Sequence, residues 1–260
     1  MAIIHPMRIL ITNDDGIHAE GLKVLTRAAK TIPNAEILVV APDSERSACG
    51  HGMTLHNPLR ARETTLEDCP AYMVDGLPVD CVNVGLTIAF PDGCDLVLSG
   101  VNNGPNLGFD ITYSGTAAGA MEGCINGIPS IAVSMASFVQ GAPLHYETGE
   151  AWLTENIQKL IALPRTERTF LNINIPAIAP EEIQGTRFTS MGKRVYEDRV
   201  ERREDPWGRP YYWQGGVVVM RPDDPESDVH AIANHFVSIT PISLDWTNAK
   251  VLSQLRSNKF

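Results

Sequence analysis

The 260 residues suit one large α/β domain or one domain with a sizeable extension, and a hydrophobic share of 43% is enough to build a full core. Twenty-one basic against 31 acidic side chains leave a formal net charge of -10, which excludes a reader of duplex nucleic acid through a basic face. The five cysteines (Cys49, Cys69, Cys81, Cys94, Cys124) are odd in number and form no Cys-x-x-Cys pair, against a disulfide framework or a structural zinc site. Met1–Met7 has no signal-like apolar stretch and no apolar run reaches the length of a membrane span, so the expected setting is the cytoplasm.

Arg8–Thr12 reads as a buried parallel-type strand. Asn13-Asp14-Asp15-Gly16 ends it. Neighbouring strand side chains point to opposite faces, so both carboxylates reach one site only if the backbone leaves strand geometry, which Gly16 permits. Their mutual repulsion calls for compensation, most simply by a divalent cation; the alternative is a polar turn in which Asp15 caps the next helix. Glu20–Ile32 has helical apolar spacing, with Pro33-Asn34 ending it, and Glu36–Ala41 is a second buried strand. The three make a right-handed βαβ unit and open a doubly wound fold. Their first turn is no Gly-x-Gly-x-x-Gly fingerprint; a phosphate bound nearby needs a cation between it and Asp14 and Asp15.

Ser44–Thr54 is a small polar loop on the same rim of the sheet, carrying Ser47 and His51. Leu55–Arg62 and Ala71–Val74 are expected as short strands around a turn-rich Glu63–Pro70. A helix over Val79–Phe90, with Pro78 just before its body, and a third core strand over Asp95–Gly100 follow. Asn102, Asn103 and Asn106 then crowd a glycine-rich loop, where asparagine carbonyls suit hard cations. Ser114-Gly115-Thr116 opens a helix of very small residues: an anion site, or an ordinary cap with close packing. Pro129–Ser134 is a fourth core strand, Tyr146–Leu163 an amphipathic helix, and Phe170–Ile175 an alternating, half-buried strand.

The α/β core is assigned to residues 1–176 and a C-terminal extension to 177–260. In the extension, Thr186–Met191 and Val195–Arg203 are strand-like, and Glu204–Pro210 is a hairpin tip with Tyr211-Tyr212-Trp213 returning from it. Such an aromatic, charged hairpin is better suited to a subunit contact than to a free arm. An acidic loop at Asp223–Asp228, Phe236–Pro241 and a helix around Asn248–Leu255 complete the chain.

Asp14-Asp15, Ser47, Asn102-Asn103 and Ser114–Thr116 thus all fall at or beyond the carboxyl ends of parallel strands. Oxygen donors without clustered His or Cys suggest Mg²⁺, Mn²⁺ or Ca²⁺, and a metal beside a helix-start anion site suggests phosphoryl chemistry. The blocks ILITNDDGIHAEG (Ile9–Gly21), VAPDSERS (Val40–Ser47) and SGVNNGPNLGFDITYSGTAAG (Ser99–Gly119) resemble the signatures of the SurE family of metal-dependent 5′/3′-nucleotidases. VSITP (Val237–Pro241) and the hairpin near Trp207 resemble its C-terminal region.

The resemblance implies a Rossmann-like, doubly wound and mostly parallel sheet, with a C-terminal β-hairpin and helix extension exchanged between subunits of a homodimer or homotetramer. It implies one divalent cation per subunit (Mg²⁺ or Mn²⁺, with Ca²⁺ in a crystal) on Asp14, Asp15, Ser47 and Asn102. It places substrate phosphate at Ser114, Gly115 and Thr116, joined by Asn106. On this reading Asp14 or Asp15 activates the water that attacks a nucleoside 5′- or 3′-monophosphate, and His51 protonates the leaving oxygen. Two rival readings are an aspartyl nucleophile at Asp14 and a nucleotide sensor without turnover. Ala48 departs from the glycine usual after the ligand serine, and Asn234-His235-Phe236 from a common Asn-Gly-Tyr.

Overall fold

The structure is a computed structural model, described for residues 5–139, 141–197, 200–214, 217–220 and 224–257. The expected strand-like Val195–Arg203 runs through 198–199, and the acidic Asp223–Asp228 begins at 223; these positions lie outside the described residues.

The apolar run predicted as the first strand forms β1, Met7–Thr12, whose Ile9, Leu10 and Ile11 are fully buried. Strands β2 (Ala35–Pro42) and β4 (Cys69–Val74) extend the sheet on one side of β1. Strands β5 (Leu96–Asn103), β6 (Ser130–Ala136) and β7 (Thr169–Pro176) extend it on the other. These six strands are parallel. Chain order therefore reverses between β1 and β5, where ligands bind in folds of this topology.

Helices α1 (Glu20–Ala29) and α4 (Tyr146–Ala162) cover one face, with Leu22, Leu25, Leu153, Ile157 and Leu160 in its core. Each fully buried leucine contributes roughly 1.5–3 kcal/mol. Helices α2 (Pro78–Ile88) and α3 (Gly115–Ile125) pack together on the other face. The small residues of α3 let it lie against the sheet: a methyl on Gly119 would come within 2.7 Å of the Ser99 hydroxyl.

Several sequence expectations change. Glu63–Leu66 is not a turn but part of strand β3, Ala61–Leu66, antiparallel to β4. The reversal lies at Glu67-Asp68, both at positive φ (48° and 62°), and β-branched Thr64 and Thr65 sit in extended backbone that suits them. Strand β7 is buried along nearly its whole length, asparagines included, so its alternation does not mark a half-exposed strand. A short helix α5, Asp228–Ala233, was not anticipated.

Beyond Pro176 the chain returns to the sheet. Strand β13 (Val237–Ser243) pairs antiparallel with β7, and β8 (Thr186–Phe188) parallel with β13, giving nine strands. Strands β9 (Arg194–Glu197) and β12 (Val217–Met220) pair with each other and lead to the hairpin of β10 (Val200–Glu204) and β11 (Pro210–Gln214). The Asp205 carboxylate accepts from the Trp207 and Arg209 amides (2.9 Å each) and closes the tip. Helix α6, Ala249–Arg256, is capped by Asn248 and buries no residue. No helix among the described residues is long and apolar enough to cross a membrane.

Candidate active site

Strand β1 stops at Thr12, one residue before the Asn-Asp-Asp-Gly turn. The Asn13 amide closes that turn on itself, donating to the Gly16 carbonyl (3.0 Å) and accepting from the Gly16 N–H (3.2 Å). Gly16 lies at φ 97°, a region that costs a residue with a Cβ. The two aspartates thereby leave strand geometry and meet different partners. Asp14 is buried and accepts the Thr116 hydroxyl and backbone N–H at the start of α3. Half-buried Asp15 accepts the Asn103 amide at the end of β5 (2.9 Å). Asp15 does not cap α1, whose N-cap is Ala19.

Burial raises the Asp14 carboxyl above its usual range, against the hydrogen bonds from Thr116. Burial, and then the Asp14 charge, push Asp15 up to about 6. Glu45 adds negative potential to both. Among the described residues, no lysine or arginine forms an ion pair with either aspartate. A carboxylate pair held at a desolvated strand end without a protein cation fits a hard, oxygen-seeking divalent ion. The described residues hold no metal-suited cluster of three or more His, Cys, Asp or Glu, so hydroxyl and amide oxygens must complete a donor set.

Those oxygens are nearby. An open cleft of about 330 Å³ is walled by Asp14, Ser47, Ala48, Asn102 to Asn106, Asp110, Tyr113 and Ser114. The backbone N–H of Arg46 donates to the Asp14 carbonyl (2.7 Å), drawing the Ser47 loop to the first turn. Ser47 is exposed and donates to Glu45 (2.8 Å). Asn102 donates through Nδ2 to the Gly104 carbonyl (2.8 Å), committing its nitrogen rather than its oxygen. The structure thus gathers Asp14, Ser47 and Asn102 on one cleft, with Asp15 against its Asn103 edge.

The expected phosphate group divides. Ser114 reaches the cleft wall, and its hydroxyl caps α3 by accepting the Ala117 amide (2.9 Å). Thr116 is fully buried, and its hydroxyl is spent on Asp14 rather than turned to the cleft. Gly115 lies directly against Asp14: a methyl there would sit 2.7 Å from the Asp14 Cβ and 2.9 Å from the Cys49 sulfur. Asn106 lines the cleft on a buried amide mount. Its N–H donates to Asn174 (2.9 Å), its carbonyl accepts from Asn172 (2.8 Å) and Asn174 (2.9 Å), and its Nδ2 donates to Ser134 (2.8 Å).

His51 does not join the cleft. Its Nε2 lies 3.0 Å from a Glu122 carboxylate oxygen, and it lines a separate groove with Met121, Ile125 and Trp246. Asp110, Ser134, Asn172, Asn174 and Glu45 escaped the sequence reading. The alternating asparagines of FLNINI were the available signal for two of them; the others carry no pattern.

A family model described as Survival protein SurE matches residues 9–198. A protein named 5′-nucleotidase SurE from Syntrophomonas wolfei subsp. wolfei is 44% identical over 253 residues, covering 97% of this chain and 94% of the relative. A protein of the same name from Carboxydothermus hydrogenoformans is 43% identical, with 96% of each chain covered. A solved structure titled as the SurE protein from Aquifex aeolicus superposes with a TM-score of 0.81 at 39% identity, covering 96% of this chain and 98% of that one.

Proposed function

This chain belongs to the SurE family, and from that premise we propose that it is a 5′-nucleotidase, a divalent-metal-dependent phosphatase releasing phosphate and a nucleoside from nucleoside monophosphates. The names of its relatives support the nucleotide phosphatase. The observation that carries the metal dependence is the Asp14–Asp15 pair at the reversal between β1 and β5, ion-paired to no lysine or arginine among the described residues and beside Ser47 and Asn102. We extend the proposal to 3′-monophosphates on the open form of the cleft.

Asp14, Asp15, Ser47 and Asn102 would hold the cation, with Mg²⁺ or Mn²⁺ fitting their oxygens. Bound there, it would supply Lewis-acid stabilisation of phosphate charge and a more acidic water. The chain's own groups do the rest. Asn106 is locked by Ser134, Asn172 and Asn174, and the one Nδ2 hydrogen it does not give to Ser134 would meet the phosphate at no reorganisation cost. The Ser114 turn puts the N-terminal end of α3, with its partial positive charge, on the same wall. Asp14 is engaged by Thr116, so half-buried Asp15 is the better placed of the two to take a proton from the attacking water.

The exposed Trp207, Tyr212 and Trp213 of the hairpin, and the unburied α6, support a homodimer or homotetramer built through the C-terminal segment. A cytoplasmic setting fits five free thiols.

The test is phosphate release from a panel of 5′- and 3′-mononucleotides and simple phosphate esters with Mg²⁺, Mn²⁺, Ca²⁺ or chelator. Release from AMP or GMP that needs a divalent ion is expected. No release under any condition would leave a nucleotide sensor, and a trapped phosphoaspartate would transfer the chemistry to Asp14 itself.

A further inference from the structure

The loop bearing Ser47 has no regular structure between β2 and β3, yet it must hold an exposed hydroxyl at the cleft. Two attachments are backbone amides: Arg46 to the Asp14 carbonyl (2.7 Å) and Gly50 to the Tyr113 carbonyl (2.9 Å). Side chains fix it as well: the Asp80 carboxylate of α2 accepts the Thr54 amide (3.0 Å) and hydroxyl (2.6 Å) at the far end of the loop, and His51 reaches α3. His51 Nε2 lies 3.0 Å from the Glu122 carboxylate, which is only 5% exposed on α3. The other Glu122 oxygen accepts the Asn83 amide of α2 (2.8 Å), so the carboxylate is gripped from both sides. The His51 hydrogen bond is the largest influence holding the Glu122 carboxyl below its usual range. Helix α3 also carries Thr116 against Asp14, so its two ends hold the two halves of the cleft.

We propose that His51 and Glu122, buttressed by Asn83, are positioning residues: they pin the Ser47 loop to α3 and thereby set the cleft's affinity for its divalent cation. This rests on the phosphatase reading of the cleft. It also replaces the expected role of His51 as proton donor, because its Nε2 is committed to Glu122 outside the cleft wall.

The test compares His51→Ala, His51→Gln and the full-length wild type. Glutamine places an N–H donor near the position of Nε2 but has no proton to give at neutral pH. Manganese binding is measured by calorimetry, and hydrogen exchange of amides 44–53 is followed in parallel. His51→Ala should weaken Mn²⁺ binding about tenfold, the lower end of losses from outer-shell substitutions, and speed exchange in the loop while β1 and α4 stay protected. His51→Gln should restore both to within about threefold of wild type, since the hydrogen bond rather than the ring is what matters.

Wild-type Mn²⁺ affinity and loop protection in His51→Ala would overturn the proposal. So would a His51→Gln variant that binds Mn²⁺ normally but releases phosphate as poorly as His51→Ala, which would make His51 the acid. Wild-type protein that neither binds Mn²⁺ nor releases phosphate from AMP would remove the phosphatase reading, and the loop exchange would still decide the tether.

Discussion

Replacing Asp15 with asparagine should abolish activity and yet stabilise the metal-free protein. The side chain keeps its shape, and Oδ1 of asparagine can still accept the Asn103 amide that Asp15 accepts at 2.9 Å. What disappears is a charge that burial and Asp14 both oppose, pushing the carboxyl from 3.8 to about 6. A carboxyl whose folded pKa lies above its unfolded value favours folding while protonated. In the wild type that advantage is complete below pH about 4 and is lost as pH rises through about 6. At neutral pH the difference amounts to about 3 kcal/mol against the folded state, at 1.36 kcal/mol per unit, and somewhat less with solvent screening. A chain of 260 residues has an unfolding entropy near 0.55 kcal/mol/K. Asp15→Asn should therefore raise Tm by roughly 3–5 °C in chelator at pH 7.5, with little change at pH 4. Calorimetry at both pH values, with and without Mn²⁺, makes the measurement. Phosphate release should fall at least ~10³-fold even at saturating metal, from the combined loss of a metal ligand and a proton acceptor. An apo-variant less stable than wild type at pH 7.5 would refute the electrostatic reasoning, and near-normal turnover would refute the ligand role.

Gly115→Ala would ordinarily favour a helix, but here the methyl must displace Asp14 or Cys49 at 2.7–2.9 Å. Urea unfolding should show a loss of about 1–3 kcal/mol, and phosphate release should drop more than tenfold. Ala48 stands at φ 57°; Ala48→Gly should gain up to about 1 kcal/mol in the same assay, the relief of left-handed strain less the added freedom of the unfolded chain. Substituting Trp207 and Trp213 together by serine should lower the assembly state seen by light scattering and leave the unfolding curve of the monomer core within about 0.5 kcal/mol of wild type, because both side chains are largely exposed.

The core was legible because its signals are local. Ile9-Leu10-Ile11 and the Glu36–Ala41 run need only hydrophobicity to be read as buried strands, and Asp14-Asp15 announces its own charge problem. The turn expected over Glu63–Pro70 narrows to Glu67-Asp68, which reaches positive φ without a glycine or asparagine to mark the spot. His51 was misplaced for another reason: Glu122 lies 71 positions along the chain, and only the packing of α3 brings them to 3.0 Å. Thr116 looked like a phosphate donor until the fold gave its hydroxyl an aspartate. Asn172 and Asn174 read as the wet side of a strand, whereas they face a third asparagine in a dry layer.

That layer has a consequence for how the cleft responds to its surroundings. Asn106, Asn172, Asn174 and Ser134 hold one another through amides and a hydroxyl, none of which gains or loses a proton in the range where proteins fold. The mount that holds Asn106 thus carries no titrating group. Acid or base can alter the ionisation of the aspartates opposite without loosening the mount that faces them, so binding and chemistry can lose activity with pH while the shape of the cleft endures.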